Sequence, residues 1–161
     1  MKPFLFIFSI ILVQLTYAQN SILDFATSHM GKKVGTGLCM EFVEQAENTK
    51  YKNWNDDYYL HPDSMRAHQV VPDSVKSGDL IIFDNIVFSD SSKIESHIGI
   101  ICRKWGNNIS YVSQNIGSHK DIENKIIYHG QEMTVFKKSK VKWALFDINN
   151  IISGDIYFFH F

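Results

Sequence analysis

Two side chains of this 161-residue sequence could act together in covalent chemistry, namely the thiol of Cys39 and the imidazole of His97. Cys39 follows two glycines and begins a segment with helical spacing, in which Phe42, Val43 and Ala46 share its face. The positive end of a helix dipole and the free N–H groups there both stabilise a thiolate. A thiolate attacks an amide carbonyl, and an imidazole takes and returns the proton. The same pattern also fits a small cysteine buried in an amphipathic helix.

The group that would orient His97 depends on a strand register. A catalytic imidazole needs a partner that fixes its tautomer. A three-residue loop centred on Gly106 would place Asn115 opposite His97, whereas a two-residue loop would bring Gln114 to that face. Tyr111, on the return strand, shares the face of Asn115. We favour Asn115 as the orienting residue and keep Gln114 as the alternative.

Helices come first along the chain and strands follow. The apolar spacing predicts a helix over residues 21–30 and a second from Cys39 to about residue 48. Strands are predicted at Leu80–Phe83, His97–Cys102, Ile109–Ser113, Lys125–Tyr128, Met133–Phe136, Trp143–Phe146 and Ile156–His160. This order predicts an α+β fold, with the N-terminal helices packed on an antiparallel sheet.

Between these two regions, residues 50–77 are predicted to form a long irregular loop. It carries Trp54, Tyr58 and Tyr59, whose aromatic faces and polar edges suit the wall of a substrate groove. The alternative for each of them is that it covers the edge of the core. We take the three as candidate substrate-binding residues, together with Gln114.

The first residues have the pattern of an export signal. Lys2 supplies a positive charge, an apolar run follows, and small residues precede a cleavage site after Ala18. We expect a signal peptide over residues 1–18 and one domain over 19–161, in the periplasm or outside the cell; an uncleaved anchor is the alternative. After cleavage we expect no stable membrane span, because the apolar run is short.

The composition and the number of cysteines limit the partners, disulfides and cofactors that we expect. The net charge is −1 and no dense basic cluster is present, so we expect no nucleic-acid partner. An oxidising compartment would permit a disulfide between Cys39 and Cys102, the only two cysteines. Strand parity disfavours it, because Cys102 points away from the His97 face. The histidines lack metal-ligand spacing, so we expect no metal and no cofactor, in a monomer.

Four segments in sequence resemble CHAP domains of the papain-like NlpC/P60 superfamily of cysteine peptidases and amidases. They are Gly35-x-Gly-x-Cys39-x-x-Phe42-Val43, Ser77-Gly78-Asp79-Leu80-Ile81-x-Phe83, His97-Ile98-Gly99-Ile100-Ile101 and Tyr111-Val112-Ser113-Gln114-Asn115. The resemblance extends from the first helix to Asn115. It implies a papain-like fold and hydrolysis of amide or peptide bonds in peptidoglycan, as an N-acetylmuramoyl-L-alanine amidase or an endopeptidase.

Carried over by position, the resemblance makes Cys39 the nucleophile, His97 the base and Asn115 the third member of the triad. Many CHAP domains have Glu at the position of Ser113, which weakens the expected electrostatic support for an imidazolium. The acidic calcium loop of some relatives is absent before Cys39, so we expect no calcium there. The alternative function is a weak or inactive domain of this family that binds peptidoglycan or a protein partner.

Overall fold

The computed structural model describes residues 21–48, 68–116, 122–128 and 130–160. The predicted signal peptide and the aromatic residues Trp54, Tyr58 and Tyr59 lie outside them. Helix α1 spans residues 21–28 and α2 spans Cys39–Asn48. The strands are β1 His68–Val70, β2 Leu80–Phe88, β3 Lys93–Trp105, β4 Asn108–Ser113, β5 Ile122–Tyr128, β6 Gln131–Phe136, β7 Lys142–Asp147 and β8 Ile151–His160. Single 3-10 turns span Pro72–Ser74 and Ile148–Asn150.

Six of these strands form one antiparallel sheet in the order β1-β8-β2-β3-β4-β7. Strands β5 and β6 form a separate antiparallel hairpin. The long β2–β3 hairpin continues past the predicted strand ends, with Val87 opposite Lys93. Residues 84–95, which lie between the predicted strands Leu80–Phe83 and His97–Cys102, are therefore mostly paired strand.

The prediction of an α+β papain-like fold is wrong. The described residues form a small domain dominated by antiparallel sheet, with eight strands and only two short helices. After α2, every regular element of the described residues except the two 3-10 turns is a strand. The physical reason is that the later apolar segments are rich in β-branched and aromatic residues, which pack well on a pleated surface. The two helices are too short to cover more than part of one face.

The sheet buries apolar side chains on both faces, which explains its continuous apolar runs. On one face, Leu80, Ile98 and Ile100 pack with α1 and α2, in a cluster that includes Phe42 and Cys39. The other face carries a second cluster: Ile81, Phe83, Ile86, Ile101, Ile109, Tyr111 and Phe158. Aromatic rings from β2, β4 and β7 meet there, so the sheet curls over its own second core.

A turn and a bulge together set the register of β3 and β4. Trp105 pairs with Asn108, so the turn has two residues rather than the favoured three. The register then shifts between Ile101 and Arg103, which leaves the residue between them as a bulge. Beyond the bulge, Ile100 pairs with Val112. If this register continued, residue 115 would lie level with residue 97, as it would with the three-residue loop that we favoured.

We expect Gly154→Ala to be strongly destabilising. Gly154 has φ +94°, and a Cβ there would lie 2.3 Å from the backbone oxygen of Asn85. The substitution combines left-handed strain of about 1–2 kcal/mol with a backbone clash of about 1–3 kcal/mol. Urea denaturation should show the loss in free energy of unfolding.

Gly106→Ala is the matched control. Gly106 also has a positive φ, of +58°, but a Cβ there would meet nothing within 4 Å. This variant should lose only the strain, about 1–2 kcal/mol. Equal losses in the two variants would contradict the close approach of β2 and β8.

Candidate active site

Cys39 is the first residue of α2, as predicted, and its side chain is 8% exposed. Burial raises the pKa of its thiol above the ordinary value, because a thiolate loses solvation in the core. Hydrogen bonds from the backbone N–H groups of Ile98, Met40 and Cys39 itself act in the opposite direction. Burial is the larger effect, so the thiol is protonated at neutral pH.

The N–H of Ile98 is available to the sulfur because β4 ends early. Continuing the register would pair Ile98 with residue 114, but β4 stops at Ser113. The Ser113 hydroxyl instead donates to the carbonyl of Ile98 at 2.5 Å, and the Ile98 N–H donates to the Cys39 sulfur. The thiol thus occupies a gap in the plane of the sheet, beside the residue that follows His97.

His97 lies on β3 and faces the second core, where its ring centroid is 6.3 Å from that of Phe83 and 6.5 Å from that of Tyr111. Cys39 belongs to the core on the opposite face of the sheet, and Cys102 rather than His97 packs against that core, so the expected meeting of Cys39 with the His97 face is not observed. Its Nε2 is buried and makes no hydrogen bond within the described part of the chain. Burial lowers the pKa of His97 from 6.5 to about 4, so the imidazole is neutral at pH 7. A neutral imidazole can accept a proton, as a general base must.

Asn115 does not orient His97, contrary to the prediction. It lies beyond the end of β4 with φ +64°, and its side chain turns to β6. Its Nδ2 donates to the Thr134 carbonyl at 2.7 Å, and its Oδ1 accepts from the Phe136 N–H at 3.0 Å. The Asn115 side chain is therefore bonded at both its nitrogen and its oxygen to β6, and it helps to hold the β5–β6 hairpin in place. It is not a partner of the His97 imidazole.

Gln114 does not contact His97 either, and its complete burial rules it out as a substrate contact in this structure. Its Oε1 accepts from the Val34 N–H at 2.7 Å, and its Nε2 donates to the carbonyls of Val34 at 2.9 Å and Leu38 at 3.1 Å. All three bonds hold the segment that leads into α2. Gln114 is therefore a positioning residue for Cys39.

Two further contacts fix the same segment. The Glu41 carboxylate accepts from the N–H of Thr36 at 2.6 Å and from its hydroxyl at 2.5 Å. The Ser139 hydroxyl donates to the carbonyl of Gly37. These bonds tie the loop before Cys39 both to α2 and to the chain after β6, which limits movement of the sulfur.

Tyr111 is the site residue that the sequence analysis missed. It is 4% exposed, packs edge-on against His97, and has its pKa raised to about 12 by burial and by the negative charge of a Cys39 thiolate. It therefore packs against the imidazole and lies within electrostatic range of the thiol. The alternation of side chains along the return strand could have identified it, because it puts Tyr111 on the same face as Asn115.

The described residues also bear on a disulfide, a metal site and a membrane span. Cys39 and Cys102 are both free thiols, so the possible disulfide is not formed. Among the described residues, no group of three or more His, Cys, Asp and Glu is arranged to hold a metal ion. None of the described helices is long and apolar enough to cross a membrane.

Comparison of the chain with protein-family models, with curated proteins and with solved structures finds no match. The resemblance to CHAP domains therefore rests on the four sequence segments alone.

We expect acid to destabilise the protein through His97. The unfolded chain binds a proton at this residue below pH 6.5, whereas the folded chain does so only near pH 4. The contribution of His97 to the free energy of unfolding is therefore fully present above pH 6.5. It is lost as the pH drops toward 4, and the loss is on the order of 3 kcal/mol. Denaturant unfolding of the wild type and His97→Gln across this range measures the difference.

His97→Gln should remove this part of the pH dependence. His68→Gln, which changes an exposed histidine on β1, should keep it. An identical pH profile for wild type and His97→Gln would show that His97 titrates normally in the folded protein.

We expect Gln114→Met to loosen the segment before Cys39. The variant keeps the side-chain volume but leaves the bonded groups of Val34 and Leu38 without their partner, at a cost of about 2–4 kcal/mol. Hydrogen exchange should accelerate over residues 32–40. Gln45→Met, which removes only a 3.4 Å contact with Glu41, is the control and should leave exchange there unchanged. Unaltered exchange in Gln114→Met would exclude the positioning role.

Proposed function

We propose that this protein is an exported cysteine hydrolase that cleaves amide or peptide bonds of peptidoglycan, with Cys39 as nucleophile and His97 as general base. The observation that supports the proposal is the position of Cys39 at the start of α2, next to the backbone of Ile98 and therefore one residue along β3 from a neutral imidazole. The choice of peptidoglycan rests on the resemblance to CHAP domains. Both wall turnover and attack on a competitor's wall use this chemistry.

The proposed reaction begins with a neutral pair. As the Cys39 sulfur attacks the carbonyl carbon, its proton passes to His97, and a tetrahedral oxyanion forms. Backbone N–H groups at the start of α2 are the donors available to that oxyanion. His97 then protonates the leaving nitrogen, the C–N bond breaks, and a thioester remains. Water, deprotonated by His97, hydrolyses the thioester and restores the thiol.

Burial makes this a general-base mechanism rather than one that starts from a thiolate–imidazolium pair. The pKa of Cys39 is raised and that of His97 is lowered, so both groups are neutral near pH 7. Proton transfer must then accompany attack, as with a serine nucleophile. No side chain takes the place of Asn115 as a hydrogen-bond partner of the His97 Nε2 in the described residues.

Purified protein should release new amino groups or soluble stem peptides from isolated peptidoglycan, and Cys39→Ala should lower the rate by about a thousandfold or more. Mass spectrometry of the soluble products distinguishes cleavage after N-acetylmuramic acid from cleavage within or between stem peptides. Cys102→Ala is the matched control, because it removes the other thiol, and should keep the wild-type rate within about twofold. Equal digestion by Cys39→Ala would falsify the mechanism.

The second candidate function is a domain that binds peptidoglycan or a protein partner without turnover. It is favoured by the engagement of Asn115 with β6 and by the raised pKa of Cys39. In that case the protein should sediment with insoluble peptidoglycan and release nothing. Cys39 should also be alkylated by iodoacetamide no faster than an unactivated buried thiol from mildly acidic to neutral pH.

A further inference from the structure

A pocket of about 300 Å³ lies on the sheet face opposite the helices, between the tip of the β2–β3 hairpin and the 3-10 turn that follows β7. Six of the residues that line it define its chemistry: Phe88, Asp90, Ile94, Tyr111, Phe146 and Asp147. Cys39 does not line it, and Tyr111 is the residue shared with the candidate active site. The size suits a small organic molecule.

Three aromatic rings form part of the wall of this pocket, beside the polar side chains of Ser89, Ser92 and Asn150. The Phe146 ring meets Phe88 and Tyr111 edge-on, with centroid distances of 6.2 Å and 6.1 Å. Tyr111 is 4% exposed, and its hydroxyl makes no hydrogen bond to any residue that the structure describes. Aromatic faces carry negative electrostatic potential and attract organic cations.

The charged groups at the pocket have one sign. Asp90 and Asp147 each have an oxygen bonded to a nearby backbone N–H, at 2.9 Å in both cases. The second oxygen of Asp147 makes no hydrogen bond with any described residue. No Lys, Arg or His of the described part of the chain lines the pocket. Two carboxylates with no cation among the described residues that line the pocket favour a positive ligand.

We infer that this pocket binds a small organic cation, an ammonium group carried on a short apolar or aromatic stem. The stem would pack on Phe88, Ile94 and Phe146, and the ammonium group would lie toward Asp147 and Asp90. The inference does not depend on hydrolysis by Cys39, because neither the walls nor the carboxylates belong to that chemistry.

The test is a titration of the purified protein with benzylammonium chloride, followed by shifts of backbone amide resonances. Benzyl alcohol, which has a similar shape and no charge, is the comparison ligand. Benzylammonium should bind about tenfold more tightly than benzyl alcohol, with the largest shifts in residues 88–94 and 145–150. Raising the salt concentration should weaken benzylammonium binding alone, because screening acts on the charge.

Carboxylate variants identify the groups that recognise the charge. Asp147→Asn should weaken benzylammonium binding about threefold to fivefold, and the double variant Asp90→Asn/Asp147→Asn about tenfold or more. Asp155→Asn changes an exposed carboxylate on β8 that does not line the pocket and should bind as the wild type does. Cys39→Ala should also bind normally, which separates this site from the proposed hydrolase.

Three results would overturn the inference. The first is the absence of saturable shifts around the pocket with benzylammonium. The second is equal binding of benzylammonium and benzyl alcohol in the wild type at low salt, which would mark a purely apolar cavity. The third is unchanged benzylammonium binding by the double carboxylate variant. The salt series in the wild type decides the question even if that variant does not fold.

Discussion

The structure around the cysteine depends on the early end of β4. A strand that continued past Ser113 would have placed residue 114 in the ladder beside Ile98. Instead, the ladder position is shared by the Ser113 hydroxyl and the Cys39 sulfur, and Gln114 turns its amide to the loop before α2. Backbone groups of a buried strand must find partners. Here that requirement holds Cys39, the loop before it and the β3 strand in one arrangement.

Burial is what orders this site, and it also opposes ionisation within it. The same packing that fixes the Cys39 sulfur and the His97 ring raises the pKa of the thiol and lowers that of the imidazole to about 4. Three backbone N–H groups offset part of the cost for the thiolate without overcoming it. In the proposed hydrolase, these shifts favour proton transfer during attack over a preformed ion pair. Tyr111, with a pKa raised to about 12, adds no charge at neutral pH.

The two faces of the sheet have different roles. One is covered by α1 and α2, which bring Cys39 to the sheet and close that core. The other curls over its own aromatic residues and stays open at the tip of the β2–β3 hairpin, where the pocket with Asp90 and Asp147 lies. Tyr111 belongs to the second face and lies next to His97. The pocket and the candidate active site therefore meet at Tyr111.

Local patterns in the sequence determined the start of α2 at Cys39 and the approximate positions of β2 to β8. They also determined the orientation of Cys102 away from His97. These features follow from helical and strand periodicity, which are properties of adjacent residues. The fold class was not determined in this way, since the balance of sheet and helix depends on which strands pair. Nor was the role of Asn115, whose partners lie on β6 about twenty residues further along the chain. The turn length was predicted incorrectly, yet the bulge after Ile101 restored the expected register. Long-range hydrogen bonds decided these points, and periodicity carries no information about them.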